Sequence, residues 1–515
     1  MKNAVQLIAY VDRLSGGGLT ELAALLKGPL QGLFAGIHVL PFFDPIDGAD
    51  AGFDPRDHTR VDPRLGDWSD IATLAAEADV MADLIVNHIS RDSPQFRDFL
   101  THGAASPFAD LFLARERVFP HGASDADLRA IYRPRPGLPF TEMTLGDGTR
   151  RHMWTTFTPS QIDIDVTHER GREYVDAILA RLAASRVRIV RLDAVGYAVK
   201  RPGTTCFMIP ETYELIADLS RRIRALGMET VVEIHSHYGQ QIEIAEHVDW
   251  VYDFALPPLV LHAFAFGTAR PLAAWLAQRP PNALTVLDTH DGIGIVDIGA
   301  QRGDPPLPGL VPSHELDRLV EAIHTSTNGS SRLATGAAAS NLDLYQVNCT
   351  FYDALARDDR AYLLARAIQF FAPGVPQVYY VGLLAGHNDV ELLRRTGVGR
   401  DINRRYYTHG ELHTALLRPV VQNLCALIRL RNTHPAFGGE FSSESRGTEL
   451  VMRWRNGVEL ADLRVDFAGR EYRLVLTAAG VARSLDLTAL AEAASAMTLA
   501  IRDGPGEQRH EIRST

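Results

Sequence analysis

Val187-Arg188-Ile189-Val190-Arg191-Leu192-Asp193 is a short run rich in β-branched residues that closes on an arginine and a carboxylate two positions apart. In a strand those two side chains share one face, at the C-terminal end. Seven similar runs surround it: Val5–Val11, Leu33–Leu40, Val80–Val86, Thr230–Ile234, Trp250–Leu256, Leu284–Leu287 and Val375–Val381. Helical patterns alternate with them, which is the signature of parallel βαβ units. In one such pattern, Glu211–Leu226, the spacing predicts a face of Leu215, Leu219, Ile223 and Leu226, with Gly227 ending the helix. Eight runs predict an α/β fold of the (β/α)8 TIM-barrel class.

Two gaps between runs are too long for simple loops. The first is rich in Pro and Gly and contains Tyr132-Arg133-Pro134-Arg135-Pro136-Gly137-Leu138-Pro139-Phe140; the second is rich in Gly, Ser, Ala and Asn. After about residue 435 the pattern becomes Glu449–Arg455, an Asn456-Gly457 turn, Val458–Val465 and Tyr472–Thr477, a hairpin signal. The expected organisation is a barrel over 1–88, 167–291 and 356–435, loop-rich insertions at 89–166 and 292–355, and a small β-rich domain at 436–515.

Composition narrows the function. A chain of 515 residues with 46% hydrophobic and 22% charged residues fits a globular protein. Its net charge of -11 argues against nucleic acid or an anionic membrane as partner, and no apolar run reaches spanning length. The start of the chain is too short and wrongly flanked for a signal peptide. Cys206, Cys349 and Cys425 lie far apart without metal spacing, so no disulfide framework or zinc site is expected, and a cytoplasmic location is.

Arginine beside a carboxylate favours the anion, which suits Asp193 as a nucleophile, although an isolated Arg-x-Asp equally fits a structural salt bridge. Val231-Val232-Glu233-Ile234-His235 places a second acid among apolar neighbours on the adjoining strand, a setting that favours the protonated form. Neighbouring strands could hold the two carboxyls roughly 5 Å apart, the separation that gives a covalent glycosyl-enzyme and retention. Leu287-Asp288-Thr289-His290-Asp291 and Asp83-Leu84-Ile85-Val86-Asn87-His88 bring further polar clusters to the same face. One histidine is usually structural; four clusters at strand ends point to a site.

Asp83–His88, Arg191–Asp193, Glu233 and His290-Asp291 match, in order, the four short motifs of the α-amylase superfamily of glycoside hydrolases. Within it, longer stretches resemble the disaccharide phosphorylases. These are Gly48–Pro55, Tyr132–Phe140, Phe254–Pro258, Ala337–Gln346 and Arg400–Arg404. The resemblance runs from Val5 to about residue 435. It implies Asp193 as nucleophile, Glu233 as acid/base and Asp291 as stabiliser of the transition state. It implies Asp50, His88, Arg191, His290 and Arg400 around the glucosyl unit, with Phe53 and Phe157 as apolar walls and Gln161 nearby. Tyr132, Arg135, His235 and the loop of Leu342, Asp343, Tyr345 and Gln346 would line the acceptor side. Such enzymes split sucrose by double displacement, releasing fructose and passing glucose to inorganic phosphate as glucose 1-phosphate, with no metal or organic cofactor. Similar enzymes are often dimers, and the long insertions could form a homodimer interface.

Asp193 and Asp291 would repel an incoming phosphate, so cations are needed beside its path. Arg135, bracketed by prolines that restrict the backbone, is the first candidate, and a moving Leu342–Gln346 loop would reconcile Asp343 with phosphate. Gly292-Ile293-Gly294 lacks the third glycine of a dinucleotide loop, having Asp297 there, and no Walker lysine loop occurs. A non-catalytic sugar-binding relative would have lost acids that are all present. The closer rivals are a sucrose hydrolase or transglucosidase, and phosphorylases of sucrose 6'-phosphate, glucosylglycerol or glucosylglycerate.

Overall fold

The computed structural model describes residues 1–48, 50–134, 137–301, 306–335 and 346–493. Eight parallel strands close into a barrel: β1 (Gln6–Ala9), β2 (Gly36–Val39), β3 (Asp79–Ile85), β4 (Ile189–Asp193), β5 (Glu229–Val232), β6 (Trp250–Asp253), β7 (Ala283–Thr285) and β8 (Val375–Tyr379). Every expected run supplies one strand, so the barrel class holds. The runs overshoot the strands at their ends. Val375–Val381 gives way at Tyr380 to the short helix Tyr380–Leu383, and Trp250–Leu256 gives way at Leu256 to the helix Leu256–Phe266. There Pro257 and Pro258 sit in the first helical turn, where a missing N–H costs nothing.

Helices α1 (Glu169–Ala184) and α2 (Pro210–Ala225) cover the barrel beside β4 and β5. The face predicted for α2 needs correction. Its buried residues are Thr212, Ile216, Leu219, Ser220 and Ile223, while Leu226 caps the helix and is 45% exposed. Gly227 follows at φ +78°, the left-handed turn that ends the helix.

The register carries the strand-end chemistry. Arg191 of β4 pairs with Asp83 of β3 on one side and Val231 of β5 on the other, so Arg191 and Asp83 point into the barrel together. The chain between β3 and β4 is tied back by a buried ammonium. Lys200 Nζ donates to Asn87 Oδ1 at 2.7 Å and pairs with Asp163 Oδ2 at 2.5 Å, joining the end of β3 to the strand Gln161–Asp163.

Five antiparallel strands follow in simple order: β9 (Glu440–Arg446), β10 (Glu449–Asn456), β11 (Glu459–Asp466), β12 (Glu471–Ala478) and β13 (Val481–Leu485). Gly457 takes φ +59° in the Asn456-Gly457 turn, as that turn requires. Alternate residues Leu450, Met452 and Trp454 of β10 are buried, and the Trp454 indole N–H donates to the Phe371 carbonyl at 2.7 Å. The sheet therefore packs on the barrel shell. The final stretch 494–515 lies outside the described residues.

Candidate active site

Arg191 organises the C-terminal mouth of the barrel. Its Nη1 lies 2.5 Å from Asp83 Oδ1 and 2.7 Å from Asp193 Oδ1, and Nη2 lies 3.8 Å from Glu233 Oε1. Asp83 is also held by His38 Nε2 at 2.9 Å. Burial alone would push the Asp83 carboxyl up, yet His38 and Arg191 hold it down at about 2. Asp83 is thus a fixed anion under the guanidinium.

Asp193 behaves differently from the sequence-based expectation. Burial, and the like charges of Glu233, Asp83 and Asp291, push its carboxyl well up, and Arg191 only partly offsets them. The arginine therefore does not settle the ionisation of Asp193 alone. Its direct bond to Asp193, at 2.7 Å against 3.8 Å to Glu233, favours the anionic form of Asp193. Glu233 stands one residue beyond β5, its backbone N–H donating to the Leu192 carbonyl, so both acids project from adjacent strand ends. Ala194, next along from Asp193, takes φ +53° in the left-handed region and lines the pocket with Gly196 and Tyr197.

Opposite them lies Asp291. Arg400 Nη1 is 2.9 Å and Arg404 Nη2 3.9 Å from its Oδ1. Burial would raise this carboxyl, but Arg400, His290, His235 and Arg404 hold it far below the usual carboxylate range. Burial drives the His290 imidazole down, with Arg191 and Arg404 adding to it, while Asp291 opposes the shift. Phe53 stacks on it with centroids 4.7 Å apart and planes at 10°. Arg404 also reaches Asp50 Oδ1 at 3.3 Å and donates to the His290 carbonyl at 2.9 Å. His88 Nε2 donates to the Phe53 carbonyl at 2.9 Å, with the Gln161 amide 3.0 Å from that nitrogen and the Phe157 ring edge-on to His88.

One pocket, open to solvent, is lined by Asp50, Phe53, Asp193, Glu233, Asp291 and Arg400 among others. Acids and an arginine beside phenylalanine rings suit a small polar ligand. On the outer side, Tyr132 packs on Phe207 and Tyr197, with ring centroids 4.6 and 6.1 Å away, and His235 faces Glu233 at 3.7 Å. Arg400 Nη2 approaches Gln346 Oε1 at 3.4 Å. Arg135, Leu342, Asp343 and Tyr345 lie outside the described residues.

Of the described residues, Glu233, His235 and Asp291 present ligand-type atoms within 4.8 Å of one another. Arg400 already neutralises Asp291, and Asp297 holds the far nitrogen of His235 at 3.1 Å, so this is an ion-pair cluster and a poor cation site.

Sequence reasoning quoted Asp83 and Arg404 in motifs without giving them a part in the site. Tyr197 and Phe207, which line the pocket, were overlooked, and Asp297 was read only as the break in a dinucleotide spacing. The i, i+4 spacing of Arg400 and Arg404 was a legible signal for the second arginine. Asp297 had none, because its contact with His235 spans two barrel segments.

Residues 30–249 match the alpha-amylase catalytic domain. Over 481 residues the chain is 59% identical to a sucrose phosphorylase of Agrobacterium vitis, covering 93% of this chain and 98% of that one. It is 53% identical over 464 residues to a sucrose phosphorylase of Bifidobacterium adolescentis, covering 90% and 92%. The solved structure of sucrose 6F-phosphate phosphorylase from Thermoanaerobacter thermosaccharolyticum superimposes with a TM-score of 0.86 at 36% identity, over 94% of this chain and 98% of that one.

Proposed function

The chain belongs to the sucrose phosphorylase family, a branch of the alpha-amylase superfamily, and on that premise we propose that it catalyses the reversible, retaining phosphorolysis of sucrose to α-D-glucose 1-phosphate and fructose. The observation that carries the reading is the Arg191-centred pairing of Asp193 and Glu233 on adjacent strand ends, inside a pocket closed opposite by Asp291.

In the first displacement an Asp193 oxygen attacks the anomeric carbon of the glucosyl unit. The bond to the fructosyl oxygen breaks, and Glu233 gives that oxygen its proton. Asp291, kept anionic by Arg400 and Arg404, faces the positive charge that grows on the sugar ring. In the second displacement a phosphate oxygen attacks the same carbon from the vacated side. Asp193 leaves as a carboxylate, and Glu233 takes the phosphate's proton. Two inversions restore the α configuration.

Asp50, Arg400 and Arg404 meet in one ion-pair cluster at the inner end of the pocket, which suits a sugar's hydroxyls, and Phe53 with Phe157 supplies apolar walls. The acceptor side is assigned to Tyr132, His235 and Gln346, with Arg135 and the loop of Leu342, Asp343 and Tyr345 completing it. Among the described residues lining the pocket, the arginine is Arg400, already engaged with Asp291.

The inserted units proposed are 89–166 and 292–355, with a C-terminal domain over 436–515. A cytoplasmic location is supported by three unpaired cysteines, and no described helix is long and apolar enough to cross a membrane. A homodimer is the proposed assembly, and light scattering tests it.

The decisive assay incubates purified protein with sucrose, with and without phosphate, and measures glucose 1-phosphate and free glucose. Phosphate-dependent glucose 1-phosphate is expected. Free glucose at one rate in both mixtures would defeat the proposal in favour of a hydrolase.

A further inference from the structure

His235 is gripped from behind by the buried carboxylate of Asp297. Asp297 lies on the single turn Val296–Ile298, just after the two-residue strand Ile293–Gly294, and is fully buried. Its Oδ2 is 3.1 Å from His235 Nδ1. Its Oδ1 accepts the Ser236 backbone N–H at 3.2 Å and the Gln241 amide at 3.0 Å, so the carboxylate is held from three sides. Gly294 makes the contact possible. A Cβ there would fall 1.9 Å from Asp297 Oδ2 and 3.0 Å from His235 Nδ1. Phe254 stacks on the imidazole with centroids 3.9 Å apart and planes at 18°, blocking rotation.

A carboxylate at Nδ1 fixes the proton there and turns the Nε2 edge to the pocket, 3.7 Å from Glu233 Oε1. The charged groups facing the ring are Asp297, Glu233 and Asp291, and Arg400 lies beyond Asp291. Burial alone would push the imidazole down, but the three acids outweigh it and the ring is pushed up.

We propose that Asp297 is a positioning residue for the phosphate half-reaction, fixing the His235 ring with Nδ1 protonated so that its Nε2 edge meets the anionic acceptor as a charged donor. The inference rests on the phosphorolysis proposed above. Water needs no such counter-charge, so the two acceptors separate the role from a general structural one.

The test is Asp297→Asn, which keeps the shape and both bonds to Oδ1 while placing a donor against Nδ1. The ring then becomes the neutral Nε2–H tautomer. The expected result is a KM for phosphate raised by about tenfold, with sucrose hydrolysis falling less than about threefold. The sign for pH follows from the raised imidazole. In the wild type, phosphorolysis declines as pH rises through its titration, and in the variant that limb moves to lower pH. Equal loss of both reactions with the alkaline limb unmoved would overturn the inference. Gly294→Ala, which drives the carboxylate off the ring, is read the same way if Asp297→Asn does not fold. The wild type is assayed first, so absence of glucose 1-phosphate there counts against the proposed function itself.

Discussion

Asp83 and Asp193, carried by adjacent strands, bind the same nitrogen of Arg191, at 2.5 and 2.7 Å. The pairing follows from register, since Asp83 sits opposite Arg191 and Asp193 is two residues further along. One buried guanidinium therefore aims the Asp193 carboxyl and links it to Asp83 inside the barrel.

Arg191→Lys replaces a planar fork by a point charge that cannot hold Asp83, Asp193 and Glu233 together. Turnover should fall by at least about a hundredfold, because a small misplacement of the nucleophile is costly. The variant should also lose roughly 3 kcal/mol of stability through unpaired buried charge. Steady-state kinetics and chemical denaturation measure both, and near-normal turnover would show that Arg191 does not orient Asp193.

The two acids should separate by leaving group. Asp193→Ala should be inactive with every glucosyl donor. Glu233→Gln should lose about 10²–10⁴ in turnover of sucrose, whose fructosyl oxygen needs a proton. With α-glucosyl fluoride, which needs none, Glu233→Gln should still release fluoride in a burst. No burst from Glu233→Gln, or full activity in either variant, would reverse the assignment.

Arg135→Ala should cut phosphorolysis more than hydrolysis, because only phosphate brings charge past Asp193 and Asp291. The ratio of glucose 1-phosphate to free glucose measures the difference. Equal loss of both products counts against a phosphate clamp.

His58 gives a stability prediction with a fixed sign. Burial, and secondarily the charge of His88, push its imidazole down to about 3, and its Nδ1 lies 3.0 Å from the Tyr174 hydroxyl. A depressed histidine contributes fully above its unfolded value near 6.5 and loses that contribution as pH falls towards 3. The slope is about 1.4 kcal/mol per pH unit in that window. His58→Gln should therefore lose less stability than the wild type between pH 7.5 and 5.5, by urea midpoints. The same loss in both would mean that His58 is not the neutral buried group described.

The barrel and the polar residues at its strand ends were legible because both depend on short-range pattern. Asp193 closes its apolar run, Glu233 sits one residue before the end of another, and Asp291 comes four residues after a third. Alternation and strand order put such residues at the mouth whatever the rest of the chain does. Local pattern failed where neighbours in space decide. The stripe expected on α2 included Leu226, but the helix ends there and solvent takes that side chain.

Charge state was the larger miss. From sequence, Arg191 beside Asp193 reads as one pair that fixes one anion. In the fold the same arginine serves Asp83 as well, and Asp193 also feels Glu233 and Asp291, so burial and repulsion oppose the arginine. The sequence by itself determined which residue types reach the barrel mouth, because the period of a strand and the order of its neighbours set that. Only the tertiary structure decided how those residues share charge, and that Asp297 stands behind His235 across a gap of sixty-two positions. The physical reason is that Coulomb interaction and desolvation act through distance in space, on which separation along the chain is silent.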